Sequence, residues 1–150
     1  PMPPTWEVPV AAVLDHFDVN ECSLLGISLG GYLATRAAAF EPRIKRIIAD
    51  DVMENFFECL AGRMGPEKAR VLRVLLRFNM KPVVNRLLAA ASKNDVVTAW
   101  ALEHGLSVSG SDNYFDYLKW TQQMSTSSFS HQLKGDFYNF GCKFFIRHMY

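Results

Sequence analysis

The sequence predicts an α/β fold: parallel strands with helices, plus a mostly helical insertion. Two short apolar runs, residues 22–27 and 44–49, flank an Ala- and Leu-rich stretch at 29–40, which reads as two strands joined by a helix. A helical crossover makes such strands parallel. From Val52 to about Met124 only helical periods are read, and residues 136–145 are aromatic-rich, as at the start of a third strand.

Taken in order, the first helix opens at Thr5 or Glu7, with Pro9 in its first turn, where no amide hydrogen is needed. Val10, Val13, Leu14 and Phe17 fall at i, i+3, i+4 and i+7 and form one apolar stripe. Residues 18–21 make a turn. The run 22–27 suits a strand buried on both faces. The helix 29–40 stops before Pro42. Further helices are expected at 53–61, 66–78, 82–92, 95–106 and 113–124. Pro66 and Pro82 stand at helix starts, Asp95 and Asp112 are capping residues, and Gly62, Gly65, Gly105 and Gly110 punctuate the joints. The expected division is a core segment at 1–51, a helical insertion at 52–130, and the start of another core strand with a divergent end at 131–150.

Composition narrows the function classes. Apolar residues make up 49% and charged residues 21% of the 150, an ordinary globular balance. The net charge of +1 leaves no basic footprint for nucleic acid. The apolar runs fall short of the ~18 residues of a membrane span, so no membrane partner is expected. Cys22, Cys59 and Cys142 are odd in number, far apart and without a C-x-x-C pair, which fits a reduced, cytoplasmic setting. The first residues, Pro1 to Trp6, lack the basic and apolar regions of a signal peptide and do not begin with Met, as expected of a chain that starts inside a longer protein.

The chemistry rests on Gly26-Ile27-Ser28-Leu29-Gly30, a G-x-S-x-G pattern. A nucleophilic serine must project from a sharp strand-to-helix turn. Residues two before and two after it crowd together, and glycine at both places relieves that crowding. The following helix directs its N-terminal amides at the reaction centre, and the Leu29 amide would be one oxyanion donor. Three fixed positions recur by chance in roughly 5% of chains this long, so the weight lies on context. A buried strand before the serine and an Ala-rich helix after it supply that context. The rival reading is a glycine-rich βα turn with an unreactive serine.

Residues 6–10 and 26–34, followed by Arg36 to Arg46, resemble the capped α/β-hydrolases, specifically the esterase and C–C hydrolase branch that includes dihydropseudooxynicotine hydrolase and its fungal relatives. Residues 113–118 resemble that group's cap, and the resemblance covers roughly residues 6–136. It implies a partial α/β-hydrolase fold, a Ser-Asp-His triad, no metal or other cofactor, a small-molecule substrate, and a helical cap after the strand that follows the elbow helix. It also implies that strands preceding Trp6, with the second oxyanion donor, are absent from this chain. At 136–145 phenylalanine stands where the family has its acid, and the family's histidine falls past Tyr150.

The remaining candidates each carry two readings. Asp50 and Asp51 end the second strand, where some α/β-hydrolases keep their acid; the other reading is a loop or capping carboxylate. His16, His104 and His131 fall away from the expected triad position and read as surface or structural residues, while His148 cannot be aligned. Arg70, Arg73 and Arg77 recur at helical spacing, either facing an acidic partner or forming a solvated face opposite Val71, Leu72, Leu75 and Leu76. Phe56, Phe57, Trp100 and Trp120 suit a pocket lining or a cap core. Two or three strands leave open sheet edges, through which self-association is expected.

Overall fold

The computed structural model describes residues 1–50 and 52–140, so Asp51, Cys142, His148 and the strand expected beyond Phe140 lie outside the described residues. The element order is α1 (Glu7–His16), β1 (Cys22–Ile27), α2 (Leu29–Phe40), β2 (Ile44–Asp50), α3 (Phe56–Gly62), α4 (Pro66–Arg77), α5 (Lys81–Asn94), α6 (Val96–Ser109), α7 (Tyr114–Thr121), two 3-10 turns at 126–128 and 130–132, and β3 (Asp136–Asn139). The chain separates into a sheet unit, Pro4–Phe56 with the described residues from Met124 on, and a helical unit, Phe57–Gln123 with Pro1–Pro3.

In the sheet unit the strands lie in the order β1-β2-β3, all parallel. Register fixes the two faces. Leu24, Ile47 and Phe137 form one row, and Leu25, Ile48 and Tyr138 form the next. The first row faces α1 and α2 and belongs to a core of Leu14, Ala34, Ala37, Ile44, Ile47, Ala49 and Val52. The face of the second row is open: Leu25 is 65% exposed, Ile27, two residues on along the same face, 63%, and Tyr138 49%. The expectation that β1 is buried on both faces is therefore corrected. Helices cover one face, and nothing among the described residues covers the other. The α1 stripe is corrected likewise, because Leu14 is buried while Val13 and Phe17 are exposed.

Ion pairs clamp α1 and the β2 entry to α2. Glu7 accepts two hydrogen bonds from Arg36, at 2.8 and 2.9 Å. The Arg36 guanidinium also lies 5.3 Å from the Phe40 ring centre and 5.5 Å from that of Phe129, where cation–π attraction adds to the pairing. Burial pushes the Glu7 carboxyl up, and the Arg36 bonds outweigh that and hold it low. Arg43 donates to Glu41 at 2.8 and 2.9 Å and to Asp15 at 2.7 Å.

The chain leaves the sheet unit after Phe56 and re-enters it at Met124, and within that unit a short neck of hydrogen bonds joins the two points. Asn55 and Ser125 form an antiparallel bridge, the Phe56 amide donates to the Met124 carbonyl at 3.0 Å, and the Thr126 amide to that of Glu54 at 2.9 Å.

The helical unit is built on Phe57, Ala61, Ala69, Leu72, Leu76, Val84, Leu88, Leu102, Phe115, Tyr117 and Leu118. Its helices start and stop where the sequence puts local signals. Pro66 and Pro82 occupy first turns, and the Asp95 carboxylate caps α6 by accepting from the Thr98 amide at 2.8 Å. Asn113, not the expected Asp112, caps α7, accepting from the Asp116 amide at 3.1 Å. The Asn85 side chain accepts from the Phe115 amide at 2.9 Å and ties α5 to α7. Gly105 lets α6 meet α7, since a Cβ there would overlap the Tyr117 ring. Burial pushes the Tyr117 phenol up to about 12. No strand lies between α3 and α7, as the helical periods predict. Among the described residues no helix is long and apolar enough to cross a membrane.

The Arg43 hydrogen bonds hold the Glu41 carboxyl down at about 2. A carboxyl lowered in the folded state stabilises above its unfolded value, near 4.5, and that stabilisation is lost as pH falls through about 2. Acid titration of stability should therefore show a loss between these limits that is absent in Glu41→Gln. The loss should be about 1–2 kcal/mol, once solvent screening on the Arg43 side is allowed for, read from urea midpoints at each pH.

Candidate active site

Ser28 is the single residue between β1 and α2. Its backbone has φ 57° and ψ −121°, and its side chain is exposed at the carboxyl edge of the sheet. Such dihedrals are costly for a residue with a Cβ and persist only where the surroundings enforce them. Here they do so by hydrogen bonds. The Ser28 amide donates to the Asp50 carbonyl at 2.8 Å, and its carbonyl accepts from the Gly31 amide at 2.9 Å. The turn is thus fastened to the end of β2 on one side and to the first turn of α2 on the other.

The glycines divide the work unequally. A Cβ on Gly26 would overlap the carbonyl group of Gly30 and stand 2.8 Å from the Gly31 amide nitrogen. A Cβ on Gly30 would meet nothing within 4 Å. The crowding expected at both positions is real at Gly26 alone: β1 presses against the backbone of Gly30, while the Gly30 substituent direction leads away from the strand. Leu29 opens α2, so its amide has no intrahelical acceptor by position, and the positive end of the helix lies at the turn.

The other candidates are scattered. Asp50 ends β2 on the open face it shares with Ile27, and its carboxylate makes no hydrogen bond or ion pair among the described residues. Asp51, the alternative acid, lies outside them. His16 is exposed on α1 with its ring edge-on to Phe17, and His104 stacks on Trp100 in the helical unit. His131 lies in the turn that feeds the amino end of β3, whereas Ser28 stands at the carboxyl edge. No hydrogen bond joins Ser28 to a histidine or a carboxylate among the described residues. None of their His, Cys, Asp and Glu side chains form a group of three placed to hold a metal ion.

Two buried polar atoms escaped the sequence reading. Among the described residues neither the Tyr32 hydroxyl nor the Asn139 side-chain oxygen has a partner at hydrogen-bond distance. Tyr32 lies one helical turn after Ser28 and is wholly buried, edge-on to Phe129. Burial pushes its phenol up, against the pull of Arg36. Asn139 pairs with Ala49 in the row that contains Gly26, close to the carboxyl edge. No spacing rule marks either atom, because burial of a polar tip is set by tertiary packing.

A 20-hydroxy-prefusarin hydrolase of Gibberella moniliformis is 32% identical over 130 residues, covering 80% of this chain and 30% of that protein. An alpha/beta hydrolase of Acremonium sp is 41% identical over 76 residues, 43% of this chain and 15% of the relative. Over part of its length this chain is related to the α/β-hydrolases. A hydrolase of Fusarium sp is 38% identical over 73 residues, covering 42% of the chain and 17% of the relative. The match therefore spans less than a third of the length of each of these relatives. No family model matches the chain, and no solved structure does.

The turn geometry separates its two glycines experimentally. Gly26→Ala should cost about 1–3 kcal/mol, because backbone must move to admit the methyl group. Gly30→Ala should fall within about 1 kcal/mol of the parent, on the stabilising side, as expected for glycine in a helix. Thermal melts followed by circular dichroism measure both, and equal losses at the two positions would contradict the asymmetry.

Proposed function

We propose that Ser28 is the nucleophile of a serine hydrolase that cleaves an ester or a carbon–carbon bond next to a carbonyl. The observation that carries this reading is the exposed serine held at φ 57° between a parallel strand and a helix N-terminus. That geometry has a structural cost and no packing benefit, since the side chain points to solvent. The relatives named hydrolases support it. One of them is named for a small organic molecule, 20-hydroxy-prefusarin, which favours a small-molecule substrate here as well.

In this reading the Ser28 Oγ attacks the substrate carbonyl and the Leu29 amide donates to the oxyanion that forms. A histidine takes the serine proton and an aspartate orients that histidine. The described residues bring neither group to Ser28, so the chain acts as the elbow-bearing segment of a longer active site. The helical unit serves as a cap in the same reading, and the open face with Leu25, Ile27 and Tyr138 supports self-association when the chain stands alone.

Without a positioned base the hydroxyl is a weak nucleophile, and without a second oxyanion donor a further factor of ~10²–10³ is lost. Residues 1–150 should therefore hydrolyse p-nitrophenyl acetate at close to the buffer rate. Prolonged exposure to a fluorophosphonate should nonetheless modify Ser28 in the folded chain, with the adduct mapped by mass spectrometry and absent from Ser28→Ala. An adduct on a different serine would refute the nucleophile assignment. Turnover far above buffer that vanishes in Ser28→Ala would refute the incompleteness of the site.

A further inference from the structure

We propose that the corner between α4 and α5 is a docking surface for an anionic phospholipid bilayer, on which the helical unit lies without crossing. Three observations meet at this corner. The first is exposed apolar area: Val71 is 52% exposed, Val74 47%, Phe78 70%, Met80 42%, Val83 37% and Leu87 50%. Phe78 and Met80 occupy the three-residue joint itself, where Asn79 turns the chain with φ 53°. The second is charge. Residues 63–94 carry eight Lys and Arg against one carboxylate, Glu67, in a chain whose net charge is only +1.

The third observation is how the two are arranged. At 100° per residue, the buried Ala69, Leu72 and Leu76 occupy one side of α4. Val71, Val74 and Phe78 line the outward side, and Arg70, Arg73 and Arg77 form the row next to it. The solvated face expected opposite Val71 and Leu72 is thus not simply polar, because Val71 lies outside the core. On α5 the pattern recurs: Val84 and Leu88 are buried, Val83 and Leu87 point outward, and Arg86 and Lys93 run beside them. Glu58 pairs with Arg73 and Asp116 with Lys81, while Arg70, Arg77 and Arg86 form no ion pair among the described residues.

Charge and apolarity together select the occupant. A polyanion such as nucleic acid would meet the cationic rows but leave the apolar rows uncovered. A bilayer with anionic headgroups satisfies both, taking side chains such as Phe78 and Met80 into the boundary between headgroups and acyl chains while phosphates meet the arginines. An acidic amphipathic segment of a protein would also match the charge. The exposed apolar groups, however, include both residues at the tip of a helical corner, a shape that enters a fluid surface.

The test is co-sedimentation of the 150-residue chain with vesicles of phosphatidylcholine alone and of phosphatidylcholine mixed with phosphatidylserine. Binding to the mixed vesicles should be at least ~10-fold tighter, and should weaken strongly as salt rises from about 0.1 M to 1 M and the screening length falls from ~10 to ~3 Å. Phe78→Ser with Met80→Ser should weaken it at least ~10-fold with the helical circular dichroism unchanged, whereas Trp100→Ser, an exposed apolar change on α6, should not. Should the double variant fail to fold, Arg77→Gln with Arg86→Gln tests the same surface and should abolish the preference for anionic vesicles. Equal binding to both vesicle types, no binding, or binding indifferent to these substitutions would overturn the proposal. So would a dimer in sedimentation velocity that Phe78→Ser with Met80→Ser dissolves, which would make a second copy the occupant.

Discussion

The contact between Gly26 and the backbone of Gly30 and Gly31 governs the sheet unit. It lets α2 follow β1 with a single residue between them and no loop to absorb the change of direction. Ser28 is then the one residue available to turn the chain, and it takes a left-handed φ because no neighbour can share the strain. The same short turn lays α2 back across the sheet, so that Ala34 and Ala37 reach Ile47 and Ala49 in one core. Toward the sheet core α2 presents the small side chains of Ala34 and Ala37, while its one large buried ring, Tyr32, packs against Phe129.

Electrostatics then fixes what packing leaves loose. Arg36 is the hub, held by Glu7 and lying against the rings of Phe40 and Phe129. One side chain thereby joins α1, α2 and the segment before β3. Glu7 and Arg36 are 29 positions apart, and no local pattern in the sequence pairs them. The Arg43 pairing with Glu41 is nearer in sequence, but its reach to Asp15 is equally hidden.

What was legible in the residues follows from this contrast. Local signals are chemical and short in range, so Pro66, Pro82, Asp95 and Gly110 mark helix ends in the sequence much as they do in the structure. The sharp turn at Ser28 was legible for the same reason, since its demands fall within five adjacent residues. Burial was less so. Leu25 and Ile27 read as core because their strand is apolar throughout, yet their exposure depends on what lies over the far face of the sheet. Val71 failed in the same way: periodicity places it on an apolar side of α4 without saying that Leu72 and Leu76 already fill the core. No partner for Ser28 was legible, and the match to one hydrolase relative covers only 30% of that protein.

The neck at Asn55 and Ser125 has a consequence for how the chain folds. Strands β2 and β3 pair although 85 residues separate Asp50 from Asp136, and an open loop of that size would make the pairing entropically slow. The helical unit removes much of that burden. It draws almost entirely on contiguous chain, so it can form first from near-neighbour contacts and bring its own two ends together. Once Asn55 meets Ser125, β3 searches for its partner on a tether of four residues on the β2 side of the bridge and ten on its own side. To the sheet, the whole helical unit then behaves as a short crossover between two parallel strands, and its length becomes free to vary without disturbing the strands it connects.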